Sequence, residues 1–384
     1  MNKIKELNSK LPDTGTSIFA VMSKLADEHN AINLSQGFPD FNCSDKLIEL
    51  VNNFMKKGFN QYAPMPGTIE LRREISRIIN KLYGKHYNPD TEITLTAGAT
   101  QALFTAFSTL IEKGDEVIVF EPAYDSYLPA IKLNGGVPIT IKLNEEDYSI
   151  PWEIVADSIT EKTKCIVFNS PHNPTGAVLN NNDISTLIEL VKNKNIYLIS
   201  DEVYEHIIFD GREHLSFARY DELSKRSFVI SSFGKTFHTT GWKAGYCCAS
   251  EELMREFRKI HQFIVFAINT PVQLAIAEFL KDDSNFLNLK SFYKAKRDLF
   301  RDLIKESGFK LRECSGTYFQ LLDYSNISGI NDMDFSKQLI EKTGVAVIPI
   351  SPFYSTKVSS HIVRVCFAKK EEVLISASKR LCSL

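Results

Sequence analysis

Short runs of β-branched and aromatic residues recur through the middle of the chain, and polar or turn-forming residues separate them. The runs occupy Glu116–Phe120, Lys164–Phe168, Asn195–Ile199 and Phe228–Ile230. Nearly continuous apolar runs of this length are typical of buried strands, and the stretches between several of them can hold crossover helices. The pattern therefore predicts an α/β fold whose core is a mostly parallel, doubly wound sheet.

A helix is expected after the short strand Thr94–Thr96. It begins near Gly98, carries apolar residues at helical spacing as far as Ile111, and ends where Gly114 provides a stop. The N-terminus of this helix is predicted to face the edge of the sheet.

The pattern changes after about residue 290, where a basic helix precedes strands near residues 318–322 and 361–367. A chain of 384 residues is also longer than the roughly 250 residues that a single core usually spans. We therefore expect a large domain over residues 46–290 and a smaller α+β domain over residues 291–384.

The composition is that of a globular protein, with 43% hydrophobic residues, 24% charged residues and a net charge of −2. Without a basic face the chain has no feature typical of binding nucleic acid or an anionic membrane, so small molecules are the expected partners. The seven cysteines form no CxxC pair, and the N-terminus lacks the apolar run of a signal peptide. A cytoplasmic location is expected.

Chemically distinctive residues follow three of the predicted strands. These segments are Asn169–Gly176, Asp201–Tyr204 and Ser231–Thr236. Ligands of open α/β sheets bind beyond the carboxyl ends of the strands, so an amide, a carboxylate, a phenol and a lysine are expected to converge there.

Lys235 is the most distinctive of these residues. A lysine beside a partly dry pocket can have a lowered pKa, and its free amine can then condense with a carbonyl group. The alternative is a solvated surface lysine, which is the commoner outcome for an arbitrary lysine. A nucleotide-binding P-loop ending at Gly234-Lys235-Thr236 is excluded because Val229 stands where its first glycine would be.

Asp201 follows an apolar strand, where a carboxylate needs a cationic partner unless it turns outward. A protonated pyridine nitrogen is one such partner, and a helix N-cap is the alternative role. Asn173 and Tyr204 could donate to a phenolate oxygen on the same ring, and Tyr124 could stack on its face. Taken singly, the asparagine could mark a turn and the tyrosines could be core residues.

An anion would fit at the predicted helix start formed by Gly98, Ala99 and Thr100, where free backbone N–H groups and the helix dipole both favour negative charge. Ser232 and Lys243 could complete that site, although small residues also begin helices that bind nothing.

Arg364 lies within an apolar strand, where a buried guanidinium would require an anion such as a carboxylate. An outward-facing position on an edge strand is the alternative. The histidines have no recognised metal spacing, and neither a GxGxxG fingerprint nor a serine nucleophile elbow is present.

In their order, these motifs resemble fold-type I pyridoxal-phosphate (PLP) dependent aminotransferases of class I, and the resemblance covers nearly the whole chain. The segments that carry it are Asn173–Gly176, Asp201–Tyr204, Ser232–Lys235 and Arg364. Asn33–Asp40, Asn60–Tyr62 and Ser232–Gly245 are similar to the branch that contains bacterial methionine, kynurenine and glutamine–phenylpyruvate aminotransferases. Lys243 departs from the arginine that many aminotransferases place at the phosphate.

The resemblance implies a pyridoxal 5'-phosphate cofactor bound covalently to Lys235, which also transfers the proton during catalysis. It implies that Asp201 pairs with the ring nitrogen, that Tyr204 and Asn173 hold the ring oxygen, and that Tyr124 stacks on the ring. The implied phosphate site consists of Ala99, Thr100, Ser232 and Lys243, with Tyr62 reaching it from the neighbouring subunit of a homodimer that shares its active sites.

For the substrate, the resemblance implies that Gly37 and Arg364 receive the carboxylate and that Asn173 also belongs to the substrate-binding residues. Phenylalanines at the positions that line the family's pocket are Phe19, Phe263, Phe266 and Phe353, and each of them could equally be a core residue. Residues 1–45 are expected to pack with the small domain.

The implied activity is transfer of the amino group of an apolar, sulfur-containing or aromatic amino acid to a 2-oxo acid. Methionine, glutamine, phenylalanine and kynurenine are the expected types of donor. The alternatives are a PLP-dependent carbon–sulfur β-lyase acting on cystathionine or cysteine conjugates and a non-catalytic PLP-binding module.

Overall fold

A computed structural model describes residues 8–384 of the chain. Its helices are α1 (Ile18–Glu28), α2 (Asp45–Lys56), α3 (Ile69–Tyr83), α4 (Gly98–Leu110), α5 (Tyr127–Leu133), α6 (Trp152–Asp157), α7 (Asn181–Val191), α8 (Asp221–Ser224), α9 (Phe233–Thr236), α10 (Glu251–Ile264), α11 (Thr270–Leu280), α12 (Ser284–Leu287), α13 (Leu289–Ile304), α14 (Asp332–Thr343) and α15 (Glu371–Leu381). Its strands are β1 (Ile32–Asn33), β2 (Ile93–Thr96), β3 (Glu116–Glu121), β4 (Val137–Lys142), β5 (Thr163–Asn169), β6 (Tyr197–Asp201), β7 (Ser227–Ser232), β8 (Gly245–Cys248), β9 (Lys310–Leu311), β10 (Phe319–Asp323), β11 (Val345–Ala346), β12 (Ile348–Pro349) and β13 (Ile362–Cys366).

The largest sheet has seven strands within the described residues, in the order β2-β8-β7-β6-β5-β3-β4. Strands β3 to β7 run parallel to their neighbours within this group, whereas β8 is antiparallel to both β2 and β7. The predicted fold class, an α/β protein with a mostly parallel doubly wound sheet, is confirmed.

The central strands form this sheet because both of their faces are buried. In β5, Ile166 and Phe168 belong to one hydrophobic core, whereas Cys165 and Val167 belong to a second core on the opposite face. Successive side chains of a strand point to opposite sides, so a strand between two cores needs the nearly continuous apolar run that the sequence contains.

The C-terminal part of the chain builds a separate four-stranded antiparallel sheet in the order β12-β13-β10-β9. The N-terminal segment joins this part: β1 pairs in parallel with β11, and the backbone N–H of Cys366 donates to Leu34 O at 2.8 Å. These contacts agree with a small unit that includes the N-terminal segment. The expected domain bounds at residues 45 and 290 stay predictions.

Some predicted elements end at different residues from the observed ones, and two strands of the large sheet were not predicted. Helix α4 ends at Leu110 rather than near Gly114, because Ile111 has an extended backbone and Gly114 lies in the turn that precedes β3. Strand β4 and the antiparallel β8 were not predicted. No helix in residues 8–384 is long and apolar enough to span a membrane.

Candidate active site

The carboxyl ends of three adjacent parallel strands meet at one edge of the large sheet. Asn169 at the end of β5 is in register with Asp201 at the end of β6, and Ser232 ends β7. A cavity of about 340 Å³ lies beyond this edge. The predicted site residues that line it are Phe19, Gly37, Ala99, Thr100, Tyr124, Asn173, Asp201, Tyr204, Ser232, Lys235, Lys243 and Arg364.

Lys235 enters this cavity from the short helix α9, directly after β7. Its Nζ donates to the backbone carbonyl of Gly37 at 3.1 Å and lies 5.7 Å from the centre of the Tyr204 ring. Burial lowers the pKa of Lys235 to about 8. Much more of the amine is therefore uncharged near neutral pH than in an ordinary lysine, and the uncharged amine is the form that attacks a carbonyl carbon.

Asp201 is almost completely buried at the end of β6. Burial raises the pKa of its carboxyl to about 6, while the hydroxyl of Tyr127, which donates to Oδ2 at 2.6 Å, acts in the opposite direction. Asp201 ends a strand rather than capping a helix. A buried carboxylate with this environment suits a cationic group of a ligand.

Asn169 and Asn173 connect the strand ends to the far side of the cavity. Asn169 donates from Nδ2 to the carbonyl of Asp201 at 2.9 Å and accepts from the backbone N–H of Asn173 at 2.7 Å. Asn173 in turn accepts from Nη1 of Arg364 at 2.6 Å. The side-chain amides of Asn169 and Asn173 are therefore held by hydrogen bonds that reach Asp201 on the large sheet and Arg364 on the small sheet.

Arg364 is 1% exposed on β13, which lies between β12 and β10. The outward-facing alternative is thus wrong for this residue, because β13 is an interior strand. Burial lowers the pKa of its guanidinium to about 10, so the group remains charged at neutral pH. Its Nε has no hydrogen-bond partner within residues 8–384. A buried cation with an unused donor is suited to bind a carboxylate.

Three phenylalanine rings surround this guanidinium. The ring centres of Phe319, Phe19 and Phe353 lie 3.8, 5.3 and 5.4 Å from Cζ of Arg364. Phe353 packs edge-to-face against Phe19 rather than lining the cavity itself. The surroundings of Arg364 are therefore apolar on several sides, which strengthens its attraction for an anion.

The N-terminus of α4 lies at the same cavity as Asp201 and is suited to bind an anion. The helix begins without a side-chain cap, so its first N–H groups remain available, and Lys243 approaches them from the turn before β8. A β-carbon on Gly98 would lie 3.2 Å from Nζ of Lys243. The ammonium group of Lys243 therefore lies beside the start of the helix, and together with the free N–H groups it is suited to bind a phosphate group.

Gly245 allows β8 to approach this helix terminus closely. A β-carbon there would lie 2.7 Å from the carbonyl oxygen of Ser231 and about 3 Å from Gly98 C and Ala99 N, all of which are backbone atoms. Since backbone atoms at such distances must move apart, only glycine preserves the geometry of the anion site.

Tyr62, Phe263 and Phe266 do not line the cavity of this chain. The Tyr62 and Phe263 side chains are 83% and 86% exposed, and Tyr62 packs edge-to-face against Phe266 at 5.5 Å between ring centres. The structure therefore brings together most of the predicted site residues but places these three on the surface.

Sequence reasoning missed Tyr127, Tyr318 and Phe319. The hydroxyl of Tyr318 donates to the carbonyl of Gly37 at 2.6 Å, the same atom that accepts from Lys235. Tyr127 was detectable as a second tyrosine three residues after Tyr124. A turn, in which the Tyr127 N–H donates to Tyr124 O at 3.2 Å, brings their ring centres to 5.7 Å. Nothing in the local sequence distinguishes Tyr318 from an ordinary core tyrosine.

A family model described as aminotransferase class I and II matches residues 29–381. The chain belongs to this family. A methionine aminotransferase from Escherichia coli (strain K12) is 44% identical to this aminotransferase over 98% of each chain. A kynurenine–oxoglutarate transaminase from Dictyostelium discoideum is 34% identical and covers 96% of this chain and 94% of the relative. The solved structure of N-succinyldiaminopimelate aminotransferase from Mycobacterium tuberculosis has a TM-score of 0.95 and 36% identity, covering 98% of this chain and 100% of the other.

Class I aminotransferases use pyridoxal 5'-phosphate, which is therefore the cofactor of this enzyme, and their substrates are amino acids and 2-oxo acids. The residues present fit that cofactor. The cavity combines a lysine of lowered pKa, a buried carboxylate and a helix N-terminus with free N–H groups beside Lys243. These groups match an aldehyde, a basic ring nitrogen and a phosphate, respectively.

The lowered pKa of Lys235 predicts how fast this aminotransferase captures its cofactor at different pH values. In cofactor-free protein, the rate constant for covalent attachment should rise with pH and level off above about pH 8, because the lysine is then deprotonated. Stopped-flow absorbance measures this rate constant. A free lysine derivative, measured in parallel to correct for titration of the cofactor itself, should level off only near about pH 10.4. A protein profile that matches the free lysine would contradict the prediction.

Gly245→Ala is expected to weaken cofactor binding by about tenfold or more, because its β-carbon would push β8 away from the start of α4. Gly241→Ala is the matched control: a β-carbon at Gly241 meets no atom within 4 Å. Titration of each cofactor-free variant with PLP, followed by tryptophan fluorescence, gives the dissociation constants. Equal constants for both variants would show that the close approach at Gly245 is unimportant.

Proposed function

We propose that this enzyme transfers the amino group of an apolar, sulfur-containing or aromatic amino acid to a 2-oxo acid. The observation that carries this proposal is the pairing, in one cavity, of the amine of Lys235 with a buried guanidinium, Arg364, that has apolar surroundings. The amine marks where the amino group of a substrate reacts, and the guanidinium marks where its carboxylate binds. Methionine, phenylalanine, glutamine and kynurenine are the expected types of donor.

The walls of the cavity support an uncharged substrate side chain. Phe19, Phe38 and Phe319 contribute aromatic surface, and Arg364 is the one arginine that lines the cavity within residues 8–384. A dicarboxylic amino acid would require a second cation for its side-chain carboxylate. The similarity to methionine and kynurenine aminotransferases points in the same direction.

The residues assigned to hold the cofactor are those that the family resemblance implies and that line the cavity. The N–H groups of Ala99 and Thr100, with Ser232 and Lys243, hold the phosphate. Asp201 would face the ring nitrogen, and Tyr124 would lie against the ring. The hydroxyl of Tyr204 and the amide of Asn173 are assigned to the ring oxygen, and all of these residues line the cavity.

Lys235 has two roles in this proposal. When bound, PLP supplies an aldehyde that condenses with amines and a ring that withdraws electrons from the carbon beside the amine. Lys235 holds the cofactor until an amino acid takes its place, and its uncharged Nζ then removes the proton from the α-carbon of the substrate. Arg364 and the backbone of Gly37 hold the carboxylate during this step, which keeps the α-carbon within reach of the lysine.

A homodimer with shared active sites completes the proposal. Exposed apolar residues of α2, α10 and the turns beside them include Met55, Phe59, Tyr62, Phe263 and Phe266. Exposed aromatic clusters of this kind usually mark interfaces, and a second copy of the chain would cover them. Tyr62 would then reach the phosphate site of the neighbouring subunit, and the phenylalanines would lie near its substrate pocket. The free cysteines of the chain agree with a cytoplasmic location.

Steady-state kinetics with a panel of amino donors tests the substrate class. With a common 2-oxo acid acceptor, kcat/KM for methionine, phenylalanine, glutamine or kynurenine should exceed that for aspartate by about a hundredfold, because one unpaired buried carboxylate costs about that much binding. A preference for aspartate would overturn the proposed substrate class. Pyruvate release from cystathionine without any acceptor would instead indicate the β-lyase, and Lys235→Ala controls for background turnover.

Subunit mixing tests the shared sites. Lys235→Ala and Tyr62→Ala dimers should each be nearly inactive, because each of their sites lacks one required group. Unfolding and refolding a one-to-one mixture should restore about a quarter of wild-type activity, since about half of the dimers are then mixed and each has one intact site. Steady-state assays before and after mixing measure the recovery. No recovery, despite mixed dimers confirmed by mass spectrometry, would place Tyr62 outside the neighbouring site.

A further inference from the structure

Tyr127 makes the shortest hydrogen bond to Asp201 in the site. Its hydroxyl donates to Oδ2 at 2.6 Å, whereas the backbone N–H of Val203 lies 3.4 Å from Oδ1. The tyrosine is 3% exposed and the aspartate 4%. The proposed function assigns no role to Tyr127. Its hydroxyl nevertheless contacts the carboxylate of Asp201, which is proposed to face the cofactor ring.

The position of Tyr127 is fixed independently of Asp201. It is the first residue of α5, and its ring packs edge-to-face against Tyr124 with 5.7 Å between ring centres. Asn169 holds the backbone of Asp201 from the β5 side through its bond to the carbonyl oxygen. The hydroxyl is thus presented to the carboxylate from a packed element rather than from a mobile loop.

We infer that Tyr127 is a positioning residue that keeps Asp201 in its carboxylate form and aims its other oxygen at the ring nitrogen of the cofactor. This inference rests on the proposed pairing of Asp201 with that nitrogen. Tyr127 does not touch the reacting atoms and acts through Asp201 alone.

The physical reason is competition for one proton. Burial favours the neutral acid, whereas a hydrogen bond donated to the charged form favours the carboxylate. Without the tyrosine hydroxyl, Asp201 would bind a proton more tightly. The protonated fraction of the ring nitrogen would then fall. A less cationic ring withdraws electrons less effectively from the substrate.

Other titratable groups near Asp201 do not replace this donor. Lys235, which follows β7, favours the carboxylate by its charge, and Glu202, the next residue in the chain, opposes it. Glu202 is itself held by Ser200, His214 and the backbone of Phe217. Among the described residues, Tyr127 provides the only side-chain hydroxyl bonded to Asp201.

A second tyrosine, which is partly buried, offers a matched control. Tyr83 donates to Oε2 of Glu205 at 2.6 Å, the same length as the bond between Tyr127 and Asp201. Glu205 also accepts from Ser231 and Tyr246, and neither Tyr83 nor Glu205 lines the active-site cavity. Tyr83→Phe therefore removes a hydrogen bond of the same length to a buried carboxylate outside the cavity.

The test compares Tyr127→Phe and Tyr83→Phe holoenzymes loaded with PLP that carries nitrogen-15 in its ring. In wild type and in Tyr83→Phe, the nitrogen-15 chemical shift should be that of a protonated ring nitrogen. In Tyr127→Phe it should move toward the unprotonated value. The kcat for the amino donor should fall by about tenfold to a hundredfold, with KM changed by less than about threefold, because the lost bond acts on a charged group remote from substrate binding.

A further variant covers the case in which Tyr127→Phe does not fold. Replacement of Tyr127 by a ring-fluorinated tyrosine keeps the side chain and strengthens the hydroxyl as a donor, so the nitrogen should stay protonated and kcat should not fall. An unchanged nitrogen-15 shift in Tyr127→Phe, or a tenfold loss of kcat in the fluorinated enzyme, would overturn the inference. Wild-type protein that fails to bind PLP or to transaminate would instead reject the proposed function itself.

Discussion

The active site depends on keeping three charged side chains largely away from water in one cavity between two sheets. Asp201, Lys235 and Arg364 line one cavity. Burial raises the pKa of Asp201 and lowers those of Lys235 and Arg364, which in each case favours the neutral form of the side chain. Such an arrangement is costly unless each charge has a partner, so the surrounding hydrogen bonds are part of the chemistry. Tyr127 donates a hydrogen bond to Asp201, and Asn173 accepts one from Arg364. The carbonyl of Gly37 accepts one from Lys235.

These partners come from widely separated parts of the chain, and the fold is what brings them together. Asp201 and Lys235 follow adjacent strands of the large sheet, whereas Arg364 belongs to the small sheet and Gly37 to the N-terminal segment. The parallel order β5-β6-β7 explains why strand ends supply several of these groups at once. The pairing of β1 with β11 explains how a residue so early in the chain reaches the same cavity.

Much of this arrangement could be predicted from the sequence, because the relevant signals are local. The apolar runs predicted β3, β5, β6 and β7, and the polar residues after them predicted Lys235 and Asp201. Strand β8 was missed because Gly245-Tyr-Cys-Cys248 is short and begins with glycine, so its strand conformation depends on pairing with β2 and β7. Tyr318 was missed for a related reason: its bond to Gly37 joins residues 281 positions apart. The burial of Arg364 could not be decided from its strand alone, since it depends on β12 and β10 on either side.

The location of Arg364 and Lys235 on different sheets has a consequence for molecular recognition. The distance between the carboxylate site and the reactive amine is not set within either sheet but by how the two sheets pack, with the bond between Arg364 and Asn173 as one direct tie. The packing between the two sheets therefore sets the separation between the amino and carboxylate groups that a bound molecule must have. An amino acid with one extra backbone carbon between these groups would need a wider separation, so we expect the packing of the two sheets to favour α-amino acids over their longer homologues.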